Sequence, residues 1–355
     1  MIHEVHTLGE LCLEGARKYK SRKAIELCEG NRLLETVSYL TMALRSRQIA
    51  GLLQSLGLNR GDRVMLLGEN LPAWPAAAFG AALAGAVSLP VSPNMPGAEI
   101  REIGEKAGAA AIFVTRRTAG LATGLDPMLP RVYLDSPAPG GLASWTSVTV
   151  SMGGIAKQIP LPRTILPRQN SGAPGNGALP DEEAMRWPDG TAYSHGELLS
   201  LAAGSLRLFP RDRIISLCPL AEKGAVILGI LAAALGGASI SCVETESATE
   251  QLKTTALLRF VELLRPTVVI GDEKFLNAAY REKAALVANG PLSRFILTRP
   301  LARLLANRRF IKTLGGNIRY YGMGDGPDLP LETAQFLRKI HVPWGSCAAS
   351  DCAYS

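Results

Sequence analysis

Two long stretches of this chain follow one plan, and an internal repeat constrains the fold more tightly than any composition can. Ser38 opens a helical pattern through Leu56, and Gly61-Asp62-Arg63-Val64-Met65-Leu66-Leu67 reads as a strand. A second helix over Ala73 to Ala84 leads into Gly85-Ala86-Val87-Ser88-Leu89. Some 150 residues on, Ser194 opens a helix, Arg211-Asp212-Arg213-Ile214-Ile215-Ser216-Leu217 reads as a strand, and an apolar helix leads into Gly237-Ala238-Ser239-Ile240. Each copy adds a helix and one more apolar strand, Ala109 to Thr115 and Thr267 to Gly271. Strands alternating with helices pair in parallel through right-handed crossovers. The sequence therefore predicts an α/β protein of two similar subdomains, with mainly parallel sheets covered by helices. Ser194 followed three residues later by Glu197 predicts a capping box at the second copy's first helix.

The expected division is 1–115 for the first subdomain, 116–180 for a Pro/Gly/Ser-rich connector and 181–355 for the second. The connector carries one strand-like run, Trp145 to Ser151, and ends in the glycine-rich Asn170 to Gly177. A phosphate cradle needs backbone N–H groups beside a helix N-terminus and usually a Lys. Pro180 and acidic residues follow instead, so this segment reads as a linker.

The formal charge is +7, but the basic residues are dispersed and match no nucleic-acid module, which argues against a nucleic-acid partner. A weak affinity for anionic membrane surfaces fits the charge better. Arg299, Arg303, Arg308, Arg309 and Lys312 make a basic helical face, read as mainly solvated. Gly224 to Val243 holds about twenty residues without a charge, enough on paper to span a bilayer. Gly236-Gly237 interrupts it, so it reads as a buried helix followed by a strand. Six cysteines include no C-x-x-C pair and read as free thiols. With no basic, apolar leader at Met1 to Glu10, a cytoplasmic location is expected.

The quoted elements resemble the AMP-forming acyl-CoA synthetases, adenylate-forming enzymes, and within them the long-chain fatty acid type. The closest stretch is Gly57-Leu58-Asn59-Arg60-Gly61-Asp62-Arg63-Val64, then Glu69-Asn70-Leu71-Pro72-Ala73-Trp74, Gly85-Ala86-Val87 and Pro90 through Pro96. Cys218-Pro219-Leu220-Ala221, Arg265-Pro266-Thr267-Val268 and Gly315 to Tyr320 look like later parts of the same body. The resemblance implies that body's fold, ATP and Mg²⁺ as cofactors, and a fatty acid or CoA ester as ligand.

The resemblance also marks losses. The family's phosphate loop, Tyr-Thr-Ser-Gly-Thr-Thr-Gly-x-Pro-Lys-Gly, is approached here by Asp181 to Trp187 and left through Pro188-Asp189-Gly190, and the seven residues between have no counterpart. Pro188, Asp189 and Gly190 are thus vestigial nucleotide-site positions, and Asp189 stands where the family has Lys, predicting repulsion of a triphosphate. Gly324, Asp325 and Gly326 resemble the loop against adenine. Ser350 and Asp351 stand for Thr-Glu, with Asp351 in the place of the Mg²⁺ ligand and Ala348-Ala349 where the stacking ring would be. His195 follows the exit strand; it is either a substrate-side residue or a first-turn surface residue, the latter favoured. No residue is assigned as catalytic. The family's C-terminal domain has no counterpart before Ser355, which predicts a truncated chain unable to adenylate alone. The alternatives are a non-catalytic acyl- or nucleotide-binding protein that associates with a full-length relative, or the product of a prematurely ended gene.

Overall fold

The computed structural model describes residues 4–29, 32–135, 147–161, 178–243, 250–277, 314–323 and 342–346, together with 279, 311, 334, 337 and 338. The first half runs α1 (Leu8–Tyr19), β1 (Lys23–Glu29), β2 (Arg32–Ser38), α2 (Tyr39–Ser55), β3 (Arg63–Leu66), α3 (Ala73–Ala84), β4 (Val87–Pro90), α4 (Gly97–Ala107) and β5 (Ala109–Val114). Then come β6 (Arg131–Tyr133), β7 (Ser147–Met152) and β8 (Ile155–Pro160). The second half runs β9 (Glu183–Arg186), β10 (Ala192–Ser194), α5 (His195–Ser205), β11 (Arg213–Ser216), a helix over Ala225–Gly236, β12 (Ser239–Val243), α6 (Glu250–Leu264) and β13 (Val268–Gly271), then β14 (Tyr320–Met323) and β15 (Trp344–Ser346).

Both copies of the repeat start and stop for the same reasons. Ser38 and Ser194 cap α2 and α5, accepting the N–H of Thr41 and Glu197, and Glu197 completes the capping box. The helices α3 and Ala225–Gly236 end at Gly85 and Gly237, which take φ of 76° and 75°, a left-handed turn that costs glycine little. At Gly237 a Cβ would lie 2.5 Å from the Tyr19 ring, so space excludes a side chain as well. The helix over Ala225–Gly236 is π-wound through Ala232 before tightening to α. It is buried throughout, and among the described residues no helix is long and apolar enough to cross a membrane.

The sheets do not keep the halves apart. One has the order β2-β1-β12-β11-β13-β14-β15; the other is β10-β9-β4-β3-β5-β6-β7-β8. The hairpin β1-β2 lies beside β12 in parallel register, Ile25 against Ile240, and β9-β10 lies beside β4, Ser88 against Met185. Each half lends its opening hairpin to the other half's sheet, so sheet membership crosses both 115 and 180. A lone two-stranded hairpin is marginal in water, and here each finds its third strand across the molecule.

The stretch read as a connector is also more ordered than its composition suggests. It extends the sheet by β6, parallel to β5, and the antiparallel pair β7 and β8. Val132, Val148 and Val150 are buried from these strands, an alternation too short to stand out among Pro, Gly and Ser. Asn170 to Gly177 lie outside the described residues.

One apolar cluster joins the inner faces of both sheets with α1, α2, α3, α5 and the Ala225–Gly236 helix, including Leu8, Trp74, Phe113, Leu231 and Ile240. Outer clusters pack α4 on one sheet and α6 on the other. The result is five layers, helix and sheet alternating, with a shared central core. Cys12, Cys28, Cys218 and Cys242 are buried free thiols.

Candidate functional site

Parallel strands leave their connecting loops at the carboxyl ends, and ligands of open α/β sheets collect there. In this chain the two sets of carboxyl ends face each other across a crevice of about 190 Å³. Glu69, Asn70 and Asn94 enter it from the loops after β3 and β4, Arg117 from the loop after β5, and Ser216 and Pro219 from the end of β11.

Asn70 fixes the width of the crevice. Its Nδ2 donates to the Cys218 carbonyl at 2.9 Å, and its Oδ1 accepts the Leu220 N–H at 2.7 Å. These two bonds tie the turn after β3 to the equivalent turn after β11. Beside it, Glu69 accepts from the Thr115 hydroxyl at 2.6 Å and pairs with Arg117 Nε at 2.9 Å. Thr118 donates its hydroxyl to the Leu67 carbonyl at 2.8 Å, holding the loop that carries Arg117. The crevice therefore presents a carboxylate, an exposed guanidinium and an amide on fixed loops.

The turn between β9 and β10 lies next to this crevice. Trp187 Nε1 donates to the Ala221 carbonyl at 2.8 Å, so the turn packs on the segment that leaves Pro219 and Leu220. Pro188, Asp189 and Gly190 make a tight reversal, with Gly190 at φ 89°. The Gly190 N–H donates to Trp187 O at 3.0 Å, Trp187 N–H to Thr191 O at 2.8 Å, and Thr191 N–H to Asp189 Oδ1 at 2.9 Å. These three donors are used within the turn. These residues do not fit a triphosphate cradle.

The expected repulsion at Asp189 needs correcting, because its carboxylate forms an ion pair with Lys223, which also reaches the Thr191 hydroxyl at 3.1 Å. Burial raises the Asp189 pKa, but its bonds to Lys223 and Thr191 outweigh that and hold it below the usual value. The local charge is balanced. Lys223 was missed in the sequence because it is 34 positions away from Asp189.

His195 is not a surface residue. It is 1% exposed, and Nδ1 accepts the Leu8 N–H at 3.3 Å, capping α1 from across the chain. Burial pushes its pKa down to about 4 against the opposing pull of Glu182 and Glu10. It does not line the crevice. Gly324, Asp325, Gly326, Ser350 and Asp351, and the basic face at Arg299 to Lys312, lie outside the described residues. Glu69 and Asn70 belonged to a recognised motif, yet nothing in the sequence assigned them to the crevice. The one signal was that polar Glu-Asn in the first copy takes the place of Pro219-Leu220 in the second.

Comparisons with known proteins agree with this fold. Residues 13–147 match the family model described as AMP-binding enzyme. The peroxisomal long chain acyl-CoA synthetase 7 of Arabidopsis thaliana is 24% identical over 79% of this chain and 43% of its own length. The long-chain-fatty-acid–CoA ligase FadD13 of Mycobacterium tuberculosis is 23% identical over 58% of this chain and 39% of its own. The chain thus spans about two fifths of these relatives. Among solved structures, IdnL1 superposes with a TM-score of 0.68 at 22% identity, over 97% of this chain and 59% of its own. The nonribosomal peptide synthetase FmoA3, solved in an AMPPNP-bound form, gives 0.64 at 17% identity, over 98% of this chain and 32% of its own.

Proposed function

We propose that this chain, a member of the AMP-binding enzyme family with long-chain acyl-CoA synthetases among its relatives, keeps the between-sheet crevice as a binding site for an acyl or nucleotide group and does not form an acyl-adenylate by itself. One observation carries the reading: where the family resemblance places a phosphate loop, the chain makes a closed reversal whose N–H groups serve Trp187 and Asp189. Stabilising the charge that develops as pyrophosphate leaves requires donors aimed at the phosphates in advance, and here the Gly190 and Thr191 N–H groups are bound inside the turn. The crevice beside it keeps Glu69, Asn70 and Arg117 in fixed positions, which supports binding without supporting transfer.

The test is pyrophosphate release and acyl-CoA formation by the purified 355-residue chain with ATP, Mg²⁺, CoA and fatty acids of several lengths. Neither product is expected. Pyrophosphate release that depends on fatty acid and scales with protein would refute the reading. Calorimetric titration with a fatty acid and with AMP, on the wild type and on Arg117→Ala, then asks whether the crevice binds; heat that is unchanged by the substitution places the ligand elsewhere.

A further inference from the structure

Among the described residues that line the crevice, only Glu69 and Arg117 are charged, and they are paired with each other. Glu69 divides its carboxylate between two partners. Oε1 meets Arg117 Nε at 2.9 Å, and Oε2 accepts the Thr115 hydroxyl at 2.6 Å. The Glu69 side chain is 18% exposed and that of Arg117 63%, so the pair fixes one edge of the guanidinium and leaves the rest of it open to the crevice. A guanidinium carries five donors in a rigid fork, and the contact with Glu69 uses the one on Nε.

The turn after β3 does not need this carboxylate for its shape. The second copy makes the equivalent turn with Pro219 at the position of Glu69, and the bonds that tie the two turns together belong to Asn70. What the carboxylate changes is the field around Arg117. An anion that reaches the open edge of the guanidinium sits close to Glu69, and the repulsion grows with the charge it brings. A carboxylate brings one negative charge, whereas a phosphate monoester brings about 1.5 to 2 near pH 7. The rest of the lining favours the same choice. Leu27, Leu217, Val243 and Leu257 offer apolar surface to a hydrocarbon body, and no second cation stands among the described lining residues to offset a phosphate.

We infer that Glu69 is a charge filter for the crevice: it orients Arg117 toward a singly charged carboxylate with an apolar body and disfavours ligands that present a phosphate. This rests on the reading of the crevice as a binding site, and it selects the acyl over the nucleotide ligand there.

The experiment is calorimetric titration of the full chain with decanoate and with AMP, at about 0.02 M and about 0.5 M salt. The wild type should bind decanoate more tightly than AMP. Glu69→Gln keeps an oxygen for Arg117 Nε and removes the charge, so at low salt the affinity for AMP should rise about tenfold more than that for decanoate. That gap should close at high salt, which a purely structural effect would not do. Thr115→Val frees one oxygen of Glu69 but leaves its charge, and should keep the preference for decanoate. Arg117→Ala should lose both ligands, and near-ultraviolet circular dichroism confirms that each variant is folded. Equal shifts for the two ligands in Glu69→Gln, a gap that salt leaves unchanged, or the same change of preference in Thr115→Val would overturn the filter while leaving the crevice a binding site. The absence of saturable heat with either ligand, in the wild type and in Glu69→Gln alike, would overturn the binding reading and the filter with it.

Discussion

Asp62 and Asp212 occupy the same place in the two halves, at the turn that feeds the central strand of each sheet. Both carboxylates accept the N–H three residues earlier, Asn59 at 2.7 Å and Phe209 at 2.8 Å. Both carbonyls receive the strand that follows, from Val87 at 2.9 Å and from Ser239 at 3.1 Å. Beyond the turn they diverge. Asp212 is 2% exposed, takes both Nε and Nη2 of Arg319 at 3.0 and 2.7 Å, and accepts the Thr267 hydroxyl at 2.9 Å. Asp62 is half-buried at the surface turn. Tyr39 and His195 diverge in the same way. Each is the first residue of its half's helix and each is buried, but Tyr39 donates to the carbonyls of Ala233 and Ala238, whereas His195 accepts from Leu8. A repeat copies its local turns faithfully, and its long-range partners are then set separately in each half.

The aspartates give the sharpest test. Asp212→Ala strands a half-exposed guanidinium and two donors, with an expected loss of about 3–5 kcal/mol. Asp62→Ala should cost about 1 kcal/mol, the value of a capping bond. Denaturant midpoints of the two variants measure the difference, and equal losses would mean that the Arg319 contact is idle.

His195 should make stability pH-dependent in acid, where Tyr39, whose pKa burial raises, stays neutral. Its folded pKa, about 4, lies below the usual 6.5, so the unfolded chain binds the extra proton first. Stability is fully present above about pH 6.5 and falls as pH drops toward 4, by about 3 kcal/mol for this group. Unfolding free energies from pH 7 to 4 should show that slope, and His195→Gln should flatten it; an unchanged slope would assign the effect to other groups.

The two halves are also tied through Asn70, and Asn70→Ala removes both bonds to Cys218 and Leu220. A loss of about 2 kcal/mol is expected. Faster amide exchange at Leu220 than in the wild type is the accompanying signal. A smaller effect belongs to Asp189→Lys, which breaks the Lys223 pair and the bond from Thr191. Since Asp189 is largely solvent-exposed, solvent screening limits the loss to about 1 kcal/mol. The substitution should leave ATP titration heats at background, because the backbone bonds from Gly190 to Trp187 and from Trp187 to Thr191 still hold the reversal; tight binding by this variant would show that charge and not shape was the barrier.

What the sequence determined by itself was periodic or local. Helix starts at Ser38 and Ser194, glycine stops at Gly85 and Gly237 and parallel strands between them follow from side-chain spacing, capping and backbone freedom within a few residues, and the shortened segment at Pro188 to Gly190 from the family resemblance. The tertiary structure decided what depends on separations of tens or hundreds of residues. It placed β1-β2 and β9-β10 in each other's sheets, because a hairpin accepts any edge of matching register and no local pattern names the edge. It set Lys223 against Asp189, His195 against Leu8 and Asn70 across the crevice, pairs whose members carry no signal of one another in the chain. Charge and hydrogen-bonding capacity are written at each residue, but a partner is chosen only when the core that both halves share brings the two surfaces together.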